Sequence, residues 1–415
     1  MSGAVREDTR TVVTGLGITA PNGLGTRPYW DAVRSGHSGI GRLTRFDPAG
    51  YPATLAGEID DFDPKAHLPN RLLPQTDQVT RLALVAAEWA LADAGVDTAA
   101  LADFDMGVLT AASSGGFEFA QKELGNLWSK GSGFVSAYQS FAWFYAVNSG
   151  QISIRHGMKG PSGVVVSDQA GGLDAIAHAR RQIRRGTALM VSGAMDATLC
   201  PWGWAALWTS GQLHTGTDPA TAYLPFDERA AGHVPGEGGA ILILESADAA
   251  TARGARSYGE IAGYAATFDP APHTGREPGL RAAIERALAD AGLGPDDIDV
   301  VFADAAGLPE PDRIEAEAIT AVFGHRGVPV TAPKTMTGRL YSGAGPLDVA
   351  TALLAIEAGA IPPTINVAPN SGTPLDLVVG GARRATMRAA LVLARGYGGF
   401  NAAMVLTAPE GRALP

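Results

Sequence analysis

Residues 164–175, VVVSDQAGGLDA, have the pattern of a buried apolar strand, a sharp turn and the start of a glycine-containing helix. Many enzymes mount a nucleophile at the apex of such a turn, where unpaired backbone N–H groups and the helix dipole favour a developing negative charge. The apex residue here is Gln169. Because a primary amide cannot accept an acyl group, the sequence predicts the architecture of a nucleophilic site without its nucleophile.

Other chemistries have weaker signals. Residues 14–23, TGLGITAPNG, approach the glycine spacing of a dinucleotide-binding turn, but Pro21 would break the helix that must bind the pyrophosphate, which favours a plain strand and turn. The eight histidines show neither H-E-x-x-H nor another paired spacing. The one cysteine, Cys200, permits no cysteine cluster. We therefore expect no metal site and no cofactor.

Composition restricts the partners and the compartment. A formal net charge of −10 argues against a general nucleic-acid binder, because phosphate neutralisation needs surplus lysine and arginine. No apolar run approaches the roughly 18 residues of a membrane span, and the first 30 residues lack the pattern of a secretory signal. A single cysteine is typical of a reducing setting. We expect a cytoplasmic protein that binds neither nucleic acid nor membrane.

The chain contains an internal repeat. ALADAG occurs at 90–95 and again at 287–292, and each copy precedes a strand-like run. AGGLDA at 170–175 similarly matches AGPLDV at 344–349. Two pairs in the same order indicate a duplicated α/β unit.

We therefore predict one compact body of two pseudo-equivalent halves, residues 1–250 and 251–415. In the first half, the helix after Gln169 returns into a buried strand at 188–194, which makes a βαβ crossover.

Two further patterns predict local structure. Asp312 and Glu315 have the spacing of a capping box for a helix that ends near Gly324. The arginine-rich run at 180–185 is favoured as a solvated helix face.

Four motifs point to a known family: the turn at 164–175, PFDERAAGHVPGEGGAILILE at 225–245, PKTMTG at 333–338 and GYGGFNAA at 396–403. Together, and in this order, they resemble a β-ketoacyl synthase over nearly the whole chain. The resemblance implies the thiolase fold, in which two duplicated α/β halves pack as a layered αβαβα body.

In that family the turn carries an acyl-accepting cysteine, and two histidines stabilise the thioester oxygen while malonyl loses carbon dioxide. Here Gln169 stands at the cysteine position, and Asp304 and Arg339 stand at the two histidine positions. The supporting residues of the family are retained as Lys334, Asp312 and Glu315. The resemblance implies a chain that lacks all three condensing groups.

The pattern of losses favours one subfamily. Decarboxylating synthase domains also have glutamine at the turn but keep both histidines, whereas this chain keeps neither. It resembles a chain length factor, the β subunit of an aromatic (type II) polyketide ketosynthase, also in RLLPQTD (71–77), SFAWFYAVN (140–148) and GQISIRHGM (150–158). The resemblance implies a heterodimer with a catalytic ketosynthase, a transient acyl carrier protein partner and a bound growing polyketide.

Residues 117–128, FEFAQKELGNLW, predict a helix on which Phe117, Ala120, Leu124 and Trp128 form one stripe. Periodicity alone favours a core-facing stripe. The resemblance implies instead that Phe117, Ala120, Leu124 and also Trp202 line the end of the shared tunnel. Because Ala120 and Leu124 leave volume that aromatic side chains would fill, we expect products longer than octaketides, of decaketide type.

Two alternatives to the chain length factor remain open. The chain could be a self-sufficient malonyl-carrier decarboxylase in which the Gln169 amide assists priming, or a stand-alone acyl or carrier-protein binder with an inactive synthase fold. For Gln169 itself, a structural role is favoured over a chemical one.

Overall fold

The computed structural model describes residues 10–368 and 373–411. Over these residues the chain forms an α/β fold. The helices are α1 (Thr26–Ser35), α2 (Pro64–His67), α3 (Gln78–Asp93), α4 (Phe117–Lys130), α5 (Gln139–Ala142), α6 (Val147–His156), α7 (Gly171–Arg184), α8 (Pro201–Trp208), α9 (Ala247–Ala252), α10 (Leu280–Ala291), α11 (Pro309–Phe323) and α12 (Ala344–Ala358). The strands are β1 (Thr11–Ala20), β2 (Gly23–Leu24), β3 (Ile40–Arg42), β4 (Leu55–Gly57), β5 (Met106–Ala111), β6 (Ser162–Val165), β7 (Leu189–Asp196), β8 (Gly238–Ser246), β9 (Gly259–Phe268), β10 (Val300–Phe302), β11 (Pro329–Thr331), β12 (Ala360–Ile361), β13 (Asp376–Leu377), β14 (Arg383–Arg384), β15 (Ala389–Gly396) and β16 (Phe400–Thr407).

The strand order of the main sheet is β13-β11-β10-β15-β16-β9-β1-β8-β7-β5-β6. The five strands from β11 to β9 mirror the five from β6 to β1, and β13 is an additional edge strand. Each side contains parallel strands at the outside and antiparallel strands toward the centre. The sides join where β1 and β9 pair antiparallel through Val12 and Val13. This symmetry is what a duplicated unit predicts. The boundaries of the halves at 250 and 251 stay a prediction.

Helices pack on the outer side of each half, and helices α7 and α12 lie between the strands of the two halves. On β8, Ile241 and Ile243 pack with α3 on the outer face, whereas Leu242 and Leu244 face the central core with α7 and α12. Helix α10 packs on β9 and β16 in the second half. The resulting order of layers confirms the αβαβα body. No helix in the described part of the chain is long and apolar enough to cross a membrane.

The repeated motifs place glycines at equivalent close contacts. A Cβ on Gly15 in β1 would overlap the Ala90 carbonyl in α3, and a Cβ on Gly263 in β9 would overlap the Ala287 carbonyl in α10. Between the halves, a Cβ on Gly172 would overlap the Pro346 ring. Glycine therefore allows the strands and helices of both copies to approach closely.

Several local predictions are confirmed. Residues 14–23 form a plain strand and turn rather than a phosphate-binding loop, because β1 runs to Ala20 and β2 follows at Gly23. Strands β6 and β7 flank β5 in parallel, with α7 as the crossover, which is the predicted βαβ unit. Helix α11 ends at Phe323 with Gly324 as its C-cap.

Three expectations were wrong. Strand β6 is not fully buried: it lies at the edge of the sheet, and Val166 just after it is 52% exposed. Asp312 and Glu315 do not form a capping box, because α11 begins at Pro309 and both carboxylates point into the interior. Arg180 is not part of a solvated face: it is buried and forms an ion pair of 2.5 Å with Asp290 of the other half.

Candidate functional site

The turn that carries Gln169 is built as the sequence predicts. Strand β6 leads into a 3₁₀ turn at Asp168–Ala170, and α7 begins at Gly171. Asp168 has a φ of 50°, in the left-handed region that aspartate tolerates better than most residues, and its carboxylate accepts a hydrogen bond from Tyr397 N at 2.8 Å. The turn directs Gln169 into the protein, where its side chain is only 1% exposed.

Gln169, Asp304 and Arg339 meet in three dimensions. The Gln169 amide donates from Nε2 to Asp304 Oδ1 at 3.0 Å. Arg339 Nη2 lies 3.0 Å from Asp304 Oδ2 and also donates to the Arg395 carbonyl at 2.9 Å. The Arg395 backbone N–H donates to Asp304 Oδ1 at 2.8 Å. At the three positions where the family has its condensing groups, Gln169 and Arg339 thus both bind Asp304, whereas the buried Gln169 Oε1 has no hydrogen-bond partner among the described residues.

The opposite charges of Asp304 and Arg339 stabilise each other within this cluster. Burial tends to raise the pKa of the Asp304 carboxyl, but Arg339 and then Lys334 outweigh burial and hold that pKa below its ordinary value. Burial tends to lower the pKa of Arg339, but Asp304 together with Tyr223 and Asp168 outweighs burial and raises that pKa. The carboxylate and the guanidinium therefore remain charged and satisfy each other, so neither is presented as a free general acid or base.

The retained residues hold the loop that carries Asp304. Glu315 accepts hydrogen bonds from Asp304 N at 2.7 Å and Ala305 N at 2.8 Å. Asp312 accepts from Gly307 N at 3.1 Å and from Phe226 N at 3.0 Å. These contacts give both acidic residues a positioning role in the loop.

Lys334 supports the same loop from the opposite side. Its ammonium donates to the Ala303 carbonyl and forms an ion pair of 2.7 Å with Asp348 in α12. Since Lys334 and Asp348 are both buried, the pair connects the loop firmly to the central helices.

A cavity of about 460 Å³ lies beside the cluster. Asp304, Arg339 and His233 line it at one end, Phe117 lines it elsewhere, and the segment Gly396–Phe400 lies along it. Gln169 is not among its lining residues, because the amide is directed toward Asp304 instead. The arrangement keeps a cavity, but the residue at the apex of the turn does not face it.

His233 is a buried neutral group at this cavity. Neither ring nitrogen has a hydrogen bond of ordinary geometry, although the ring faces the Ala306 backbone. Burial, and then the charge of Arg339, lower its pKa to about 3. A second proton on the imidazole is therefore strongly disfavoured.

The predicted chain-length residues lie on two packed helices. Phe117 of α4 stacks on Trp202 of α8, with ring centroids 4.7 Å apart and planes inclined by 11°. Ala120 is buried, whereas Leu124 and Trp128 are exposed, so a core-facing stripe is wrong for the last two. Only Phe117 of the four predicted gate residues lines the 460 Å³ cavity.

An aromatic surface adjoins α4. We define it by Trp128, Phe134, Trp143, Phe144 and Tyr145, all of which are exposed in this chain. Trp128 is 83% exposed. Trp143, Phe144 and Tyr145 contact one another in turn, and several large exposed aromatics along one helix and its neighbouring segments are typical of a surface that a partner covers.

Family models match both halves of the chain. The β-ketoacyl synthase N-terminal domain matches residues 8–250, and the β-ketoacyl synthase C-terminal domain matches residues 258–368. The chain belongs to the β-ketoacyl synthase family.

Relatives within the β-ketoacyl synthases include polyketide synthase subunits. The chain is 62% identical over 95% of its length, and 98% of the relative's, to a Streptomyces coelicolor protein named as a β-ketoacyl synthase 2 of the actinorhodin polyketide. It is 59% identical over 95% of its length, and 97% of the relative's, to the tetracenomycin polyketide synthase ketoacyl synthase beta subunit of Streptomyces glaucescens.

A solved β-ketoacyl synthase structure, that of the ishigamide ketosynthase/chain length factor, has a TM-score of 0.88 and 29% identity, and the match covers 97% of this chain and 99% of that one. A second is a type II polyketide synthase acyl carrier protein in complex with its ketosynthase bound to the hexaketide. Its TM-score is 0.86 at 27% identity, and the match covers 97% of this chain and 100% of that one.

Sequence reasoning missed two residues of this synthase site. The Arg395 backbone binds Asp304, and Tyr223 donates its hydroxyl to the Ala305 carbonyl at 2.7 Å. Arg395 directly precedes the GYGGFNAA motif, and Tyr223 lies two residues before the motif at 225–245. The flanks of the two motifs were therefore the available signal.

Proposed function

We propose that this chain is the non-condensing subunit of a type II polyketide ketosynthase. In this function it forms a heterodimer with a catalytic ketosynthase, completes the tunnel in which the polyketide elongates, and sets the number of malonyl units added. An acyl carrier protein binds the complex transiently, and the growing polyketide occupies the tunnel. Bond formation takes place in the partner.

The Gln169–Asp304–Arg339 cluster carries this proposal. Condensation needs a thiolate to hold the acyl chain and donors directed at a thioester oxygen. Here the amide and the guanidinium both bind the Asp304 carboxylate, and the amide does not line the cavity. A chain that keeps the whole fold but replaces these groups can form part of the wall of a site, but it does not catalyse condensation there.

The aromatic surface supports a partner of similar fold. Its side chains lie on and next to α4, the helix that carries Phe117, Ala120 and Leu124. A partner that covers this surface would therefore also enclose the predicted chain-length residues. The named relatives, a ketoacyl synthase beta subunit and a ketosynthase/chain length factor, support the same arrangement.

Side-chain volume at α4 is the proposed determinant of product length. Phe117 and Trp202 already form a stacked pair, whereas Ala120 and Leu124 are small or medium. Close-packed walls do not accept an extra ketide unit without strain. We infer products longer than octaketides, of decaketide type.

A self-sufficient decarboxylase is the less favoured function. It would need the Gln169 amide to donate to a malonyl thioester oxygen, but one N–H of that amide donates to Asp304 at 3.0 Å and the amide does not line the cavity. The single cysteine, which is buried and free, supports our placement of the protein in the cytoplasm.

Reconstitution tests the function directly. The chain is co-expressed with a ketosynthase and an acyl carrier protein, and the mass of the released product is measured. We expect defined products only when both subunits are present. A control combines this chain with a ketosynthase whose nucleophilic cysteine is replaced by alanine, which should give none. Carbon dioxide release from malonyl carrier protein by the isolated chain, or products of unchanged length without it, would refute the proposal.

A further inference from the structure

The first turn of α4 is held by a residue from another helix. Asp77 is the N-cap of α3 and accepts a hydrogen bond from Val79 N at 3.0 Å through Oδ1. Its second oxygen, Oδ2, accepts from Phe119 N at 2.8 Å, in the first turn of α4. The carboxylate is 2% exposed. One buried side chain thus caps two helices.

Helix α4 has no cap of its own. Its N-cap is Gly116, which provides no side-chain acceptor, so a first-turn N–H group would otherwise lack a partner. Asp77 supplies that acceptor, and a carboxylate at a helix N-terminus also interacts favourably with the helix dipole. The register of the first turn therefore depends on Asp77.

Residues 142–143, which include Trp143 of the aromatic surface, contact the start of the same turn. Gly116 N donates to the Trp143 carbonyl at 3.1 Å. A Cβ on Gly116 would overlap the Ala142 carbonyl and contact the Asp77 side chain. The chain at Gly116 therefore fits tightly between Asp77 and residues 142–143. A small shift of the Asp77 side chain would therefore displace the first turn of α4.

We propose that Asp77 is a positioning residue for chain length: by fixing the first turn of α4, it sets where Phe117 and Ala120 stand. This rests on the proposed function, in which these side chains bound the tunnel. Asp77 contacts neither the cluster at Gln169 nor, in this assignment, the polyketide. Its effect on product length acts through the position of α4.

The variant Asp77→Ser separates the two caps. Serine is a good N-cap for α3, but its shorter side chain offers no second oxygen to Phe119 N. The matched control is Asp63→Ser, which changes an exposed aspartate that caps α2 through Lys65 N alone. Both variants are assembled with the ketosynthase and carrier protein, and product masses are measured.

We expect Asp77→Ser to assemble normally while the ratio of off-length to main product rises about tenfold, since leaving the buried Phe119 N–H without its acceptor is worth about a factor of ten in population. Hydrogen exchange of the peptide containing Phe119 should accelerate by a similar factor, while the peptide containing Val79 should not change. Asp63→Ser should change neither quantity.

A gate variant distinguishes failure of this inference from failure of the proposed function. If Ala120→Phe combined with Leu124→Phe shifts product length but Asp77→Ser does not, the role of Asp77 is refuted and the function stands. If the gate variant leaves length unchanged, the part of the proposed function that places the chain-length determinant on α4 fails, and the role of Asp77 fails with it. Should Asp77→Ser not assemble, Asp77→Asn, which keeps one acceptor, is tested. Failure of both to assemble would show that Asp77 maintains the fold and would overturn the proposal.

Discussion

Asp304 and Arg339 form a buried ion pair of 3.0 Å at the two positions where the family has its histidines. Breaking such a pair leaves an uncompensated charge in the interior, which costs about 3–5 kcal/mol. We therefore expect Arg339→Met to lower the free energy of unfolding by that amount. The double variant Asp304→Asn with Arg339→Met should lose clearly less, because no buried charge remains.

Urea unfolding of the assembled complex, at one fixed protein concentration, measures both variants. Equal losses for the single and double variants would show that neutralising Asp304 restores no stability, and would contradict this prediction.

Gln169 provides a second prediction. Because its amide donates to Asp304 and does not line the cavity, Gln169→Ala should leave product length unchanged and reduce output only modestly. Product mass and yield are measured with and without a supplied acyl starter. A selective loss of initiation that the starter restores would contradict the structural role and support priming by the amide.

How far the sequence could predict this site depends on the kind of contact. The repeat and the motifs identified Gln169, Asp304 and Arg339, and their meeting follows from strand order. The partner of each group could not be predicted, because the Gln169 amide could equally donate to Asp304 or to a ligand. The spacing of Asp312 and Glu315 fitted a capping box, yet loop 304–307 lies close enough to take both carboxylates as acceptors. Hydrophobic periodicity predicts which side chains share a helix face, but it does not predict whether the core, a partner or solvent covers that face.

The gate residues yield a third prediction. Replacing Ala120 and Leu124 together by phenylalanine adds volume beside the Phe117–Trp202 stack, so products should shorten by at least one ketide unit while the heterodimer still forms. Product masses are compared with those of Lys122→Phe, which adds an aromatic side chain to an exposed position of α4 outside the stripe. Unchanged product length at comparable yield would make these residues ordinary surface and core.

The lowered pKa of His233 predicts that this residue makes the folded protein less stable as the pH falls. Its pKa is lowered by burial, and then by Arg339, to about 3 in the folded protein, against an ordinary value of 6.5. Between these values the unfolded chain binds a proton that the folded chain does not, so stability falls as pH decreases through this window, by up to about 1.4 kcal/mol per pH unit.

Melting temperatures measured from pH 7 down to pH 4 test this linkage. Buried carboxyls with raised pKa values, such as Glu237 and Glu315, give the opposite slope in this window, so the prediction concerns the difference between proteins. The wild type should lose stability relative to His233→Gln as pH falls, whereas the exposed His325→Gln should follow the wild type. Parallel curves for all three proteins would mean that another group causes the acid sensitivity.

The aromatic surface predicts dependence on a partner. An isolated chain that exposes Trp128, Trp143 and their neighbours should self-associate at micromolar concentration in sedimentation experiments. Adding the ketosynthase at about 100 times its Kd should stabilise the chain by about 2.7 kcal/mol, seen as a higher melting temperature. A monodisperse monomer that gains no stability on addition of the ketosynthase would contradict this expectation.

The close contact between Gly172 of α7 and Pro346 of α12 determines how the chain could be divided into fragments. Helix α12 is buried along almost its whole length, including Leu347 and Leu353, and it packs against strands of both halves. A fragment that ends before β9 would lack α12 and leave α7 facing water. Each half would then be insoluble or unfolded alone, whereas the two fragments expressed together could complement each other as a split protein. The duplicated units are repeats in sequence but a single cooperative unit in folding.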